Sequence, residues 1–348
     1  MQARLATLAL GLTAVWIIPA CGASPGPASP TPTPPNTLTG PFSISGTVVE
    51  NRSGRPIAMA KLSFIGSGSA TVYSDASGHF ALPSVSSGLL TFSISAAGFL
   101  DRASRFTVGS SRADVVLDMI STASPFSLDF YRQFVRNGFD STTLRPTQPW
   151  ARAPRFFVNT ITQDTGETVP VGVIDGIRRV FENSVLELSA GRFELAAFDT
   201  GPEPRTDVAD WVYVTFWHAI RDGISGEATV GPSTGGYIKL RYDPLRDAQG
   251  LNNPNDCESA TVGTAVHEVV HTMGFFHTAQ TFDDFQTGPG CPGNGRPERV
   301  RHHAAIMYSR PAGNLDPDRD PFEFSIPLGR VSTGLTISCP ADDRRRTP

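Results

Sequence analysis

The 348-residue chain has few charged residues and almost no clustered positive charge. Charged side chains make up 18% of the sequence, the formal net charge is −4, and the longest basic run is Arg344–Arg346 near the carboxyl end. Proteins that bind nucleic acid need a basic patch that neutralises phosphates. The sequence therefore predicts no nucleic-acid partner, and no feature of its charge pattern defines a protein partner.

Long hydrophobic runs are also missing. The apolar stretch near the start, Leu5–Ile18, follows Arg4 and is too short for a membrane-spanning helix. It is followed by Pro-Ala-Cys ending at Cys21, and residues 22–40 are rich in proline, serine and threonine. This arrangement resembles a bacterial lipoprotein signal, with residues 1–21 as the signal peptide and residues 22–40 as a disordered tether. The resemblance implies export and a lipid anchor through Cys21 to the cell envelope or outer surface; an ordinary cleaved export signal is the alternative.

Cysteine is scarce, and its spacing lacks the CxxC pairs of structural zinc sites. Besides Cys21, the chain contains Cys257, Cys291 and Cys339. An exported protein meets conditions that permit disulfides, so one pair is expected. Cys257 with Cys291 and Cys291 with Cys339 are the alternatives.

Residues 41–120 have the short-period pattern of strands separated by turns. Apolar side chains such as Phe42, Ile44 and Val48 alternate with polar ones. The spacing predicts a small all-β antiparallel sandwich. The order Ser-Gly-Thr-Val-Val-Glu, Gly-Arg-Pro-Ile and Ser-Asp-Ala-Ser-Gly-His-Phe resembles the carboxypeptidase regulatory-like (transthyretin-like) domain. Because this region has no acidic cluster and a single histidine, His79, we expect it to fold and position the chain; a spacer or adhesive module is the alternative.

The remainder of the chain is predicted to be a mixed region of strands and helices. Residues 121–154 are predicted to be a connector with one amphipathic segment, and residues 155–348 a catalytic domain of α+β class with a mixed sheet, a long helix and an active-site helix. The predicted elements are strands at Arg155–Thr162, Phe193–Phe198, Trp211–Trp217 and Tyr237–Arg241, and helices at Val171–Ala190 and Ala260–Phe275.

One eleven-residue stretch, HEVVHTMGFFH at 267–277, concentrates residues that bind a catalytic metal. On a helix, His267 and His271 lie on one face, and Glu268 lies beside the first of them. Gly274 permits a sharp turn after the helix, and His277 then returns a third nitrogen. Three protein ligands with one open position are typical of catalytic zinc, whereas structural zinc is usually closed by four. The pattern predicts a Zn²⁺ cofactor.

The extended pattern HExxHxxGxxH resembles the signature of the metzincin zinc metallopeptidases, which also have a methionine-containing turn beneath the metal. Met307, thirty residues after His277, lies in the segment Ala-Ile-Met-Tyr-Ser and is the candidate for that turn. The resemblance implies that Tyr308 contacts substrate or the transition state, or alternatively forms a wall of the substrate pocket. It also implies that the strand at Gly235–Arg241 is the edge that pairs with an extended peptide.

Other residues are weaker candidates for the metal site. A gluzincin-type peptidase would use a downstream glutamate, Glu298 or Glu323, as its third ligand. His218, His302 and His303 are further candidates, with surface or internally bonded histidines as the alternative.

Together these features predict an exported zinc-dependent metalloendopeptidase that acts on a protein or peptide substrate. A zinc-activated water would attack the peptide bond, and Glu268 would serve as general base. The alternative is a catalytically silent, zinc-containing surface binding or adhesion lipoprotein.

Overall fold

Seven strands form a sandwich of two sheets in the computed structural model of the chain. The structure describes residues 40–66, 68–203, 208, 211–220, 225–233, 235–245, 247, 260–279, 282, 295–322, 324 and 326. The strands of the sandwich are β1 (Phe42–Glu50), β2 (Lys61–Ile65), β3 (Ser69–Tyr73), β4 (His79–Val85), β5 (Gly88–Ser95), β6 (Arg102–Val108) and β7 (Arg112–Met119).

The two sheets of the sandwich have the strand orders β4-β1-β7 and β3-β2-β5-β6. Apolar side chains that alternate along each strand meet between the sheets, and Phe64, Phe80, Phe92 and Phe106 are almost fully buried there. Burying a phenylalanine contributes about 2 to 3 kcal/mol, so these four rings are a large part of what holds the sheets together. The predicted sandwich is confirmed. One pair differs from the prediction, because β1 and β7 run parallel.

A mixed α/β region follows the sandwich. Its strands are β8 (Arg155–Thr162), β9 (Ala197–Gly201), β10 (Trp211–Trp217), β11 (Gly226–Ala228) and β12 (Gly236–Arg241), and its helices are α1 (Leu128–Arg136), α2 (Val171–Leu188), α3 (Ala260–Thr272) and α4 (Glu298–Tyr308). The strand order is β11-β12-β10-β8-β9, and β11 alone of these runs antiparallel to its neighbour.

The edge of this sheet lies elsewhere than the sequence predicts. We expected the strand at Gly235–Arg241 to be an edge strand, but β12 lies between β10 and β11, so the edge strand on this side of the sheet is β11. Three residues of β11 are too few to produce a periodic pattern, which is why sequence reasoning missed it. The strand predicted at Phe193–Phe198 is also displaced and lies at Ala197–Gly201.

Helix α2 confirms its prediction closely. Its buried positions include Ile174, Ile177, Phe181 and Val185, which are spaced as on one face of a helix. The helix ends at Leu188, just before Ala190 and Gly191, which both have positive φ. That left-handed pair ends the helix, and α2 packs against α3. Gly176 lets the two helices approach closely, since an added Cβ would lie 3.0 Å from Val262 Cγ2.

The segment predicted to be a connector contributes to the core of the α/β region. Phe130, Phe134 and Trp150 are buried in the same hydrophobic cluster as α2 and α3. Trp150 Nε1 also donates a hydrogen bond of 2.7 Å to Thr272 O at the end of α3. Helix α1 and the residues after it therefore pack as part of the α/β region.

The chain after α4 returns to the sandwich. Arg319 pairs with Ala103 of β6, Ile326 pairs with Phe106, and Ile326 is buried in the sandwich core. The segment after α4 is thus shared between the two parts of the molecule. Among the described residues, no helix is both long enough and apolar enough to cross a membrane.

Candidate metal centre

Helix α3 carries the first two histidines and is fixed at both ends. Its apolar face, which includes Val269 and Val270, is buried in the core. At its start, Asp247 accepts hydrogen bonds from the Thr261 backbone N–H (3.0 Å) and from Thr261 Oγ1 (2.5 Å). A carboxylate at a helix amino terminus satisfies unpaired N–H groups and interacts favourably with the helix dipole.

The turn after α3 depends on Gly274. Its φ is +99°, a conformation that side chains with a Cβ rarely adopt. A Cβ added there would also lie 2.5 Å from the backbone oxygen of Gln148. The turn brings the chain back over the helix, so that His277 reaches the two histidines of α3.

The three histidines converge on one point through the same ring atom. The Nε2 atoms are 3.2 Å apart for His267 and His271, 3.2 Å for His271 and His277, and 3.3 Å for His267 and His277. Nitrogens bound tetrahedrally at about 2.0 to 2.1 Å from zinc would be about 3.3 to 3.4 Å apart. The histidine triangle therefore fits a metal ion of the size and geometry of zinc.

Second partners fix the proton positions on two of these rings. His271 Nδ1 lies 2.9 Å from Phe275 O, which can only accept, so Nδ1 carries the proton. His277 Nδ1 lies 3.2 Å from Asp140 Oδ2 and likewise donates. When these two rings are neutral, the Nε2 atoms of His271 and His277 carry lone pairs that point toward each other. A cation between them removes this repulsion by accepting both lone pairs. Burial, with the neighbouring imidazoles, lowers the pKa of His267 to about 3, and burial lowers that of His271 to about 4.

Glu268 is buried beside the histidines. Burial, followed by the charge of Glu227, raises the pKa of Glu268 to about 8. Its carboxylate lies against β11, because a Cβ added at Gly226 would meet Glu268 Oε1 at 2.4 Å. A carboxyl group whose pKa is near neutral is suited both to accept and to donate a proton.

A cleft of about 420 Å³ contains this site. One wall is formed by the edge strand β11 and the residue Val230, and the other by the end of α1 and the loop that follows it. The lining residues are Asn137, Asp140, Arg145, Gly226, Glu227, Ala228, Val230, His267, Glu268, His271, Phe276 and His277. Asp140 and Glu227 were missed from the sequence because no local motif connects them to residues 267–277.

Met307 and Tyr308 are buried near the site, in positions that differ from those expected. Met307 lies in the last turn of α4, where we expected a loop turn, and its methyl group would be 3.3 Å from a Cβ at Gly274. It therefore packs close to the turn that leads to His277. The Tyr308 hydroxyl donates to Met273 O at 3.0 Å. Tyr308 is thus bonded to the end of α3 and does not line the cleft described above, as a substrate contact or a pocket wall would.

The other candidate ligands lie away from the triangle or outside the described residues. His303 is buried and bonded to Arg299 O and to the Ser127 backbone, and His218 pairs with Asp164 and Glu167. Neither these two nor His302 and Glu298 belong to the cleft lining. Glu323, Cys21, Cys257, Cys291 and Cys339 lie outside the described residues.

Comparison with known proteins identifies the sandwich. A model of the carboxypeptidase regulatory-like domain matches residues 43–119. Residues 43–119 are a carboxypeptidase regulatory-like domain. No curated protein matches the chain, and no matched family supports a peptidase activity.

Three of the solved structures that are similar to this chain each align with about a quarter of it. Hydroxyquinol 1,2-dioxygenase from Pseudomonas putida is 14% identical, with 24% of this chain and 58% of that chain covered and a TM-score of 0.21. A streptococcal ancillary pilin is 14% identical, with 25% and 30% covered and a TM-score of 0.20. For 5-hydroxyisourate hydrolase from Klebsiella pneumoniae the identity is 12%, the coverage 25% and 93%, and the TM-score 0.20. This chain spans less than two thirds of the length of the dioxygenase.

Proposed function

We propose that the protein is a zinc-dependent endopeptidase with a metzincin-like site. The observation that carries the proposal is the triangle of three Nε2 atoms at 3.2 to 3.3 Å, with the buried carboxyl group of Glu268 in the same cleft. Three neutral imidazoles and a neighbouring glutamate are the components of metal-assisted hydrolysis. The described cleft brings together the residues that this chemistry requires.

His267, His271 and His277 would bind the zinc ion, and Glu268 would act as the general base and then as the general acid. Zinc in this position supplies Lewis-acid polarisation of a water molecule and of a substrate carbonyl group. Glu268 takes a proton from the attacking water and delivers it to the leaving amine.

An extended peptide is the substrate class that the cleft favours. Strand β11 lines the cleft and is one of the two edge strands of the five-stranded sheet. A peptide can add to such an edge through backbone hydrogen bonds, which hold it extended beside the histidines. Gly226 on this strand leaves room for the Glu268 carboxylate, so strand and base occupy adjoining positions along the peptide.

The proposal extends to location. The amino-terminal sequence supports export and a lipid anchor at Cys21 on the cell envelope or outer surface. Metabolic labelling with radioactive palmitate tests the lipid anchor. The wild-type chain should incorporate the label, and the variant Cys21→Ala should not.

The substitution Glu268→Gln separates metal binding from catalysis. The amide keeps the volume of the side chain and leaves the three histidines in place, so the variant should bind zinc in the same stoichiometry as the wild type. Cleavage of a generic protein substrate should fall about 10²- to 10⁴-fold, since the proton carrier is lost. Metal content and chelator-sensitive cleavage are measured on the same samples, with Glu182→Gln on the exposed surface of α2 as the control.

An unchanged cleavage rate in Glu268→Gln would refute the role of this residue. A wild-type protein that binds zinc with full occupancy yet cleaves nothing would refute the peptidase proposal and favour a silent zinc-containing binding protein.

A further inference from the structure

The segment that carries His277 is held by helix α1, which lies more than a hundred residues earlier in the chain. Phe276 N donates to Phe134 O at 2.8 Å, and Ala279 N donates to Gln133 Oε1 at 2.8 Å. The rings of Phe134 and Phe275 stack with centroids 4.3 Å apart and an interplanar angle of 9°. Two hydrogen bonds and one stacked pair thus fix the backbone on both sides of His277.

The loop after α1 supplies the partner of the histidine ring itself. Asp140 Oδ2 lies 3.2 Å from His277 Nδ1, and both side chains are roughly half-exposed in the cleft. The loop has its own anchor, because Arg145 N donates to Arg136 O at 2.8 Å. Arg136 is fully buried and donates 2.7 Å hydrogen bonds to the backbone and side-chain oxygens of Asn314. A carboxylate on an anchored loop is well placed to orient an imidazole.

The two later ligands differ in how they are oriented. His271 donates from Nδ1 to Phe275 O, four residues away on the same turn. His277 donates to a carboxylate 137 positions earlier in the chain. Metal-binding histidines usually donate their second ring N–H to a carboxylate or carbonyl group, which fixes the tautomer and the ring orientation. The orientation of the third ligand is thus coupled to the loop after α1.

We propose that Asp140 is a positioning residue for His277, and that α1 with its following loop completes the metal site. This inference rests on the proposed zinc site. By accepting the Nδ1 proton, Asp140 keeps the Nε2 lone pair of His277 directed toward the other two histidines. The segment predicted to be a connector is therefore part of the metal centre.

Zinc affinity of the full-length chain tests this role without relying on activity. Affinity for Zn²⁺ alone is measured by competition with a chromogenic chelator for the wild type and for the variants Asp140→Ala, Asp140→Asn and Glu227→Gln. Glu227 lines the same cleft but hydrogen-bonds to Tyr237, so its variant controls for the loss of one negative charge. Asp140→Ala should weaken zinc binding about 10- to 100-fold.

The other variants separate positioning from charge and from folding. Asp140→Asn keeps an acceptor oxygen and should recover part of the affinity, while Glu227→Gln should change it less than about threefold. The d–d absorption of bound Co²⁺ should shift in Asp140→Ala, because the geometry of the third ligand changes. The thermal midpoint of the metal-free protein should stay that of the wild type, since the Asp140 side chain is roughly half-exposed.

Each remaining result overturns the inference in a distinguishable way. If Asp140→Ala binds zinc as tightly as Glu227→Gln does, Asp140 has no positioning role and the zinc site stands. If Asp140→Asn binds zinc as weakly as Asp140→Ala does, the negative charge of Asp140 and not its acceptor oxygen supports zinc binding, and the positioning role is wrong. If the wild type binds no zinc, the proposed site fails and the role of Asp140 fails with it.

Discussion

Replacing Gly274 by alanine should damage both the stability of the protein and its metal site. Two separate effects act at this position. Alanine must adopt a φ near +99°, and its Cβ would lie 2.5 Å from Gln148 O. Real Cβ atoms need at least 3.0 Å, so the backbone must move by about 0.5 Å or more. Neither partner in this clash is a flexible side chain that can rotate away.

A second glycine allows the backbone cost of the Gly274→Ala substitution to be separated from its steric cost. Gly98 has a φ of +82°, and a Cβ added there meets nothing within 4 Å. Gly98→Ala therefore measures the left-handed backbone alone, about 1 to 2 kcal/mol. Overpacking in a closed site costs a further 1 to 3 kcal/mol or so. We expect Gly274→Ala to lower the free energy of unfolding by about 2 kcal/mol more than Gly98→Ala does.

The same displacement reaches His277, three residues later. Ligand groups must be held within about 0.5 Å of their working geometry, so a shift of this size should lower zinc affinity about tenfold or more. Denaturant unfolding of the metal-free proteins and chelator competition for zinc measure the two effects. If Gly274→Ala unfolds like Gly98→Ala and binds zinc like the wild type, the steric reasoning is wrong.

Two other predictions follow from the site and its surroundings. Gly226→Ala places a Cβ against the Glu268 carboxylate and 2.6 Å from Thr264 Cγ2 on α3. Cleavage should fall about tenfold or more, and the free energy of unfolding should fall by about 1 to 3 kcal/mol because Thr264 must also move; equal activity would contradict the proposed position of the base. Burial lowers the pKa of His303 to about 4 from 6.5, so the unfolded chain binds a proton that the folded chain excludes. The free energy of unfolding should therefore fall by about 3 kcal/mol from this residue as the pH falls from about 6.5 to 4. Denaturant unfolding of the wild type and of His303→Gln across that range measures this contribution. If the two plots of unfolding free energy against pH are parallel, the assignment is wrong.

Local patterns predicted much of the metal centre. His267, His271, Gly274 and His277 belong to a single helix and turn, so their spacing alone determines that the rings can meet. The long α2 helix and the strands β8 and β10 were predicted for the same reason, since each presents an uninterrupted apolar pattern. Where position depends on neighbours in sequence, the sequence is informative.

Contacts between distant segments could not be predicted in this way. Asp140 reaches His277 only because α1 packs on the turn after α3, and nothing near Asp140 in the sequence indicates that packing. The residues Glu298–Tyr308 form a helix where a loop turn was expected, and this rotates Tyr308 onto Met273 O, away from the cleft. A tyrosine next to a motif residue can face either way until the backbone conformation is known.

The sandwich is joined to the chain after α4 by a buried network of ion pairs. Asp118 of β7 lies between Arg102 and Arg310, and although burial opposes its charge, the two guanidinium groups lower its pKa far below the usual range. Arg310 also pairs with the buried Asp318 at 2.7 Å. Removing one partner from such a buried network leaves a charge uncompensated, at a cost of about 3 to 5 kcal/mol. Arg310 lies two residues after the end of α4, and Met307 of that helix packs close to the turn that leads to His277, so these ion pairs do not match a detachable spacer role for the sandwich. Its contacts favour a folding and positioning unit that holds the segment after α4 in place.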